Sequence, residues 1–185
     1  MKEALQQIMP LDKAEKILSI GQARSMNAHE YYLRAGEVPK SFAFVLSGLF
    51  RYVYINEKGD EFTKGLIMER DFISSYSAME SQSPSHFFIE AMEDAEILNI
   101  PHQKWLVLLE TDVFWLKFLL KSIEKGFSKK EKRERDLLLL NAETRYLDFL
   151  GEYPGIEKRI SQAIIASYLG IKPESLSRIR KNLPT

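Results

Sequence analysis

RISQAIIASYLGIKPESLSRIRK, residues 159–181, holds two short apolar segments separated by a glycine. Ser161 is suited to open the first segment, because a serine oxygen accepts one of the amide N–H groups left unpaired at a helix start. Ile165 and Leu169 follow at i, i+4 as anchors on one face, and Gly170 offers the left-handed residue on which helices commonly end. Pro173 fits the first position of a new helix, where its missing N–H is not needed. A helix, a turn of about three to four residues with glycine and a second helix make a helix-turn-helix.

The second helix has two distinct faces. At about 100° per residue, Leu176, Ile179 and Leu183 fall on one side, and Glu174, Ser177, Arg178 and Lys181 on the other. The apolar side packs down and the polar side forms a strip suited to the DNA major groove. Arginine can bond guanine O6 and N7 together, glutamate can accept from cytosine N4, and serine and lysine suit phosphates or base edges. Charge supports this reading locally. The whole chain balances 26 basic against 26 acidic residues. Residues 156–185, however, hold Lys158, Arg159, Lys172, Arg178, Arg180 and Lys181 against Glu157 and Glu174 alone, a net +4. A neutral total does not exclude such a local nucleic-acid footprint.

Upstream, the texture differs. Leu11, Ala14, Ile17 and Leu18 have helical spacing. From Ala28 to about Ile100 the chain reads as short β runs: FAFVL running into Ser47-Gly48, LFRYVYI, a turn at Asn56-Glu57-Lys58-Gly59-Asp60, EFTKGLIM, HFFIEA and AEILNI. Several short strands at near-regular spacing predict an antiparallel barrel, roll or sandwich. After Pro101 the pattern is helical again. Val113, Leu116, Leu120, Ile123 and Phe127 step by alternate threes and fours, the seam of a paired helix. Phe114, Trp115, Phe118 and Leu119 add a second apolar face, so this helix has its own domain and a further partner to bury against, a second copy being the natural one. The charged run SKKEKRERD, residues 128–136, then continues as a solvated helix and marks a boundary between Gly126 and Asn141.

The 185 residues are 45% hydrophobic and 11% aromatic, enough for a real core. There is no cysteine, which removes disulfides, thiol nucleophiles and cysteine-bound iron–sulfur clusters. The N-terminus lacks a signal-peptide core, and the apolar run VFWLKFLL is broken by Lys117. A cytoplasmic protein without membrane contact is expected. His29, His86 and His102 are isolated in the sequence, so neither a metal site nor a haem is expected, and no catalytic motif stands out.

The β-roll with FAFVLSGLFRYVY, the long apolar helix and RISQAIIASYLGIKPESLSRIRK together resemble the CRP/FNR family of bacterial transcription regulators over about residues 10–183. IASYLGIKPESLSRIR carries the most specific part of the resemblance. It implies an α+β chain with three parts. Residues 1–110 are an N-terminal helix and a cyclic-nucleotide-binding-like jelly roll. Residues 111–140 are a dimerisation helix, bearing Val113, Leu116, Leu120, Ile123 and Phe127, and a hinge. Residues 141–185 are the helix-turn-helix domain. The resemblance implies a homodimer reading a palindromic operator in double-stranded DNA. Glu174, Ser177 and Arg178 match the Glu-x-x-Ser-Arg base-reading pattern of the FNR branch. Ser161, Gln162 and Ser175 fall where family members touch phosphates, and Lys181 joins them from the strip.

Three departures qualify the resemblance. Members that bind cyclic nucleotides carry Gly-Glu and Arg-Ser/Thr-Ala in a cassette whose counterparts here read ISSYSAM, residues 73–79, and SPSHFFIEA, residues 83–91. No Arg or Lys lies between Arg70 and Lys104, so no local cation is expected for a phosphate, and cyclic nucleotide is not expected as the ligand. The absent cysteines remove the iron–sulfur sensing of the FNR branch. Only Asn182-Leu183-Pro184-Thr185 follow the recognition helix, so the usual β-hairpin wing is short or absent in this sequence, and Lys172 replaces the usual Ser or Thr cap. The sequence therefore predicts a transcription regulator with an unidentified effector or none, and no cofactor. The alternative is a small-molecule sensor whose roll acts through protein–protein contacts. A jelly-roll enzyme would need clustered His and carboxylate ligands, which this sequence does not provide.

Overall fold

The computed structural model describes residues 1–183, which form two compact units divided after Glu110. The first unit opens with α1 (Lys2–Gln6) and α2 (Leu11–Ile20). Eight strands follow: β1 (Gln22–Met26), β2 (Tyr31–Leu33), β3 (Ser41–Ser47), β4 (Phe50–Ile55), β5 (Glu61–Ile67), β6 (Phe72–Ile73), β7 (Phe88–Ala91) and β8 (Ala95–Pro101). Between β6 and β7 lies α3 (Tyr76–Glu80), and α4 (His102–Leu109) closes the unit.

The strands form two four-stranded antiparallel sheets, in the orders β1-β8-β3-β6 and β2-β7-β4-β5. Apart from the β4–β5 hairpin, consecutive strands alternate between the sheets, which gives the jelly roll the sequence predicts. Alternation along each strand fills the space between the sheets with Ala43, Val45, Phe50, Ile89, Ala91 and Ile97, all fully buried. The Ser47-Gly48 turn needs its glycine. Gly48 has φ of +101°, and a Cβ there would lie 2.5 Å from that of Ala95. At the β4–β5 hairpin, the Asn56 side chain accepts the N–H groups of Lys58 and Asp60.

One strand starts earlier than the sequence implies. The predicted β texture begins at Ala28, whereas β1 begins at Gln22 and pairs residue for residue with β8. It is an edge strand, exposed at four of its five positions, so its sequence QARSM has no apolar alternation to read.

The second unit is helical: α5 (Val113–Leu139), α6 (Ala142–Glu152), a 3-10 turn (Ile156–Lys158), α7 (Gln162–Leu169) and α8 (Pro173–Asn182). Asp112, Asn141 and Ser161 cap α5, α6 and α7 by accepting the N–H groups of Phe114, Thr144 and Ile164. α5 runs unbroken for 27 residues and takes in the whole charged run. Trp115 on this helix is fully buried and Phe114, Phe118 and Leu119 are half-buried, as its second apolar face requires.

Part of the charged run is held within the unit. Lys132 Nζ lies 2.6 Å from Asp136 and 2.5 Å from Glu152, tying α5 to α6. These partners hold the Lys132 ammonium well above its ordinary pKa. Lys132, then Arg135, hold the buried Asp136 carboxyl below the usual carboxylate range. A carboxylate with a lowered folded pKa stabilises above its unfolded pKa, and that contribution is lost as pH falls through the folded value. Asp136→Asn should therefore cost about 1 kcal/mol at neutral pH, given partly solvated partners. Urea titrations should show that difference from the wild type closing in acid, below the ordinary aspartate range.

Candidate nucleic-acid interface

α7 ends as the sequence predicts. Gly170 is left-handed (φ 67°, ψ 36°), and the Ile171 N–H returns to the Ala166 carbonyl at 3.0 Å. Lys172 stays extended without a side-chain cap, and Pro173 takes the first helical position of α8. Ile165, Leu169 and Leu176 are buried and seat the two helices on each other. Ile179 is half-buried.

The predicted reading strip lies where helical geometry put it. Glu174, Arg178 and Lys181 are exposed, and Ser175 and Ser177 are half-exposed. Among the described residues, no ion pair within the chain holds Glu174, Arg178 or Lys181. Ser161 and Gln162 are exposed at the start of α7. The Ser161 Oγ accepts the Ile164 N–H at 3.4 Å, which leaves its hydroxyl proton free to donate to a phosphate. Pro184 and Thr185, and with them the expectation about the wing, lie outside the described residues.

Two supports of α8 and α7 were not legible in the sequence. Glu157 accepts the Tyr146 hydroxyl at 2.6 Å and pairs with Arg180 at 3.3 Å, joining α6, the 3-10 turn and α8. Burial, and then Glu157, push the Tyr146 hydroxyl up to about 12, so it stays a proton donor throughout the physiological range. Arg133 of α5 donates to the Tyr168 carbonyl at 2.8 Å and lies 4.8 Å from the centroid of that ring. Arg180 and Arg133 are thus engaged in bracing the helices, while Arg178 points to solvent.

In the roll, the structure corrects the expectation that no cation is near the cassette. Tyr52 of β4 pairs with Gly65 and Val53 with Thr63, so Lys64 is an extra residue in β5, a bulge. Such a bulge re-aims a side chain. The Lys64 ammonium lies 3.5 Å from the Phe87 ring centroid, inside the 83–91 stretch, and 5.6 and 5.8 Å from those of Tyr52 and Tyr54. Tyr52 stacks on Phe87 at 5.1 Å, and its hydroxyl accepts the Ser74 N–H. The buried Ser85 and Ser75 hydroxyls are bonded to each other at 3.1 Å. A scan along the chain misses Lys64 because it arrives from a neighbouring strand.

Residues 23–112 match the family model of the cyclic nucleotide-binding domain. No curated protein matches the chain by sequence. Among solved structures, FixK2 from Bradyrhizobium japonicum superposes with a TM-score of 0.77 at 19% identity, covering 89% of this chain and 84% of its own. The c-di-GMP-responsive global regulator CLP of Xanthomonas campestris gives 0.73 at 16% identity, over 92% and 89% of the two chains. A Eubacterium rectale protein assigned to the crp/fnr family of transcriptional regulators gives 0.72 at 17%, over 96% and 84%. Residues 23–112 are thus a domain of the cyclic nucleotide-binding family. The chain as a whole has the fold of the CRP/FNR regulators, roll, long helix and helix-turn-helix included.

Proposed function

We propose that this chain is a DNA-binding transcription regulator that works as a homodimer. The observation that carries the reading is α8: a buried apolar side anchored by Leu176, and an outward strip of Glu174, Ser177 and Arg178 without ion-pair partners among the described residues. In this reading those three side chains meet base edges, and Ser161, Gln162, Ser175 and Lys181 meet phosphates. The global regulator CLP and the crp/fnr-family protein of Eubacterium rectale, which share the fold, agree with such a role.

The dimer follows from α5. Val113, Leu116, Leu120, Ile123 and Phe127 form one stripe, each between 42% (Ile123) and 63% (Phe127) exposed. An apolar seam of this length on a single chain calls for a matching partner, and a second copy supplies one with two-fold symmetry. Two helix-turn-helix units would then enter successive major grooves about 34 Å apart on a palindromic operator. Such a protein acts in the cytoplasm, without catalysis.

For the effector, the cassette lacks an arginine for a cyclic phosphate, and Lys64 with Tyr52 and Phe87 occupies the same region of the roll. The reading is therefore of a regulator that does not use cyclic nucleotide in the usual way and has either another small-molecule effector or none.

A mobility-shift assay with genomic fragments tests the DNA reading. Affinity should fall steeply as salt rises from about 50 to 200 mM, with a log–log slope of about −0.9 per phosphate neutralised. Binding that is absent at low salt, or insensitive to it, sinks the proposal in favour of a sensor acting through protein contacts.

A further inference from the structure

The apolar seam stops at Phe127, but its helix continues. The alternating steps of three and four run on through Lys130, Glu134 and Leu137 on the same unbroken helix. The charged run divides by face. Lys132, Arg135 and Asp136 are held in ion pairs within the unit. Lys130, Glu131 and Glu134 are exposed, and among the described residues none of them has an ion-pair partner in the chain.

We infer that Lys130, Glu131 and Glu134 form a self-complementary charged layer in the interface between two copies of this chain, and that this layer sets the two helices parallel and in register. The inference rests on the homodimer reading above. In a parallel pair, a seam residue at the position of Lys130 inserts as a knob into a hole of four partner residues. Counted along this sequence, those four are the partner's Phe127, the partner's Lys130, the partner's Glu131 and the partner's Glu134. The ammonium thus meets two carboxylates while its methylene stem lies along the partner's Phe127. Two-fold symmetry repeats the arrangement, so opposite-charge contacts outnumber the like-charge pairs on the axis.

Other pairings lose this match. An antiparallel pair that overlays the five apolar positions sets Val113 opposite Phe127, and Lys130 and Glu134 then project past the start of the partner's helix. A parallel pair slipped by one heptad seats Lys130 among the partner's Leu120, the partner's Ile123, the partner's Glu124 and the partner's Phe127, where it meets one carboxylate instead of two and an apolar wall in place of the second. Polar residues in a mostly apolar seam specify register and orientation in this way, at some cost in stability.

The test uses two variants of the full chain that change exposed side chains only. K130E makes the layer wholly acidic (Glu at 130, 131 and 134), and E131K/E134K makes it wholly basic. Each alone should dimerise more weakly than the wild type in sedimentation velocity, by about tenfold in dissociation constant at low salt. Mixed in equal amounts, they should pair with each other. Native mass spectrometry should show the heterodimer rising from the statistical half to about nine-tenths of all dimers, an excess that shrinks at high salt. If the wild type is a dimer but the mixture stays at one to two to one, the charged layer is overturned and the homodimer stands. If the wild type sediments as a monomer at every concentration, the homodimer reading fails, and the inference with it. Circular dichroism matching the wild type confirms that both variants fold.

Discussion

Arg178→Ala should weaken binding to a selected operator by about 1–3 kcal/mol, roughly 5- to 150-fold, and relax the preference at one base pair in each half-site. The residue is exposed on α8, with no ion-pair partner among the described residues, so removing its side chain takes nothing from the fold. Alanine is also the best helix former, so α8 should keep its shape. The operator duplex can be selected from a random library with the wild-type protein. Fluorescence anisotropy on duplexes altered one base pair at a time then reads the specificity. Lys181→Ala offers the contrast: a phosphate contact should weaken all duplexes evenly and reduce the salt slope by about 1. If Arg178→Ala bound every duplex as the wild type does, its assignment to a base edge would be wrong.

Arg51→Met should destabilise the roll by about 3–5 kcal/mol. Arg51 is 4% exposed and Glu90 6%, and the guanidinium donates to Glu90 Oε2 through Nε at 3.1 Å and Nη2 at 2.5 Å. Its second partner, Glu61, lies 2.7 Å away and is half-exposed. The cost comes from the group left behind. Without Arg51 the Glu90 carboxylate stays buried and keeps, among the described residues, the His29 ring at 3.1 Å as its partner. The double variant Arg51→Met, Glu90→Leu should recover most of the loss, because a well-packed apolar pair can replace a buried ion pair at little cost. Urea denaturation followed by tryptophan fluorescence measures both, in a Trp115→Phe background so that Trp105 of α4, in the same unit as the roll, is the reporter. A single variant within about 1 kcal/mol of the wild type would show that water reaches the pair and screens it.

The parts of the fold that were legible in the sequence are those whose burial repeats locally. β3, β4, β5, β7 and β8 alternate or run apolar between turn residues. α7 and α8 are punctuated by Ser161, Gly170 and Pro173, each with its own backbone reason. β1 was not legible, because an edge strand exposed along its length has no alternation. The far end of α5 was legible in part: the charged run reads as a solvated continuation of the helix, and α5 does run through it. A run of charges has no apolar period to mark its end, however, which the sequence left anywhere between Gly126 and Asn141 and the structure puts at Leu139.

The candidate sites divide in the same way. The strip Glu174, Ser177, Arg178 and Lys181 lies on one helix, where a fixed angle per residue makes sequence spacing equivalent to position in space. Lys64 against Phe87, Arg51 against Glu90 and Arg180 against Glu157 each join residues more than twenty positions apart. Strand pairing, a bulge and helix packing bring them together, and no local period records such partnerships. The sequence by itself therefore determined the order of the elements and the face of α8 turned to solvent. The tertiary structure alone decided which charges are already satisfied inside the chain and which remain available to DNA or to a second copy, because that depends on contacts between residues remote in sequence.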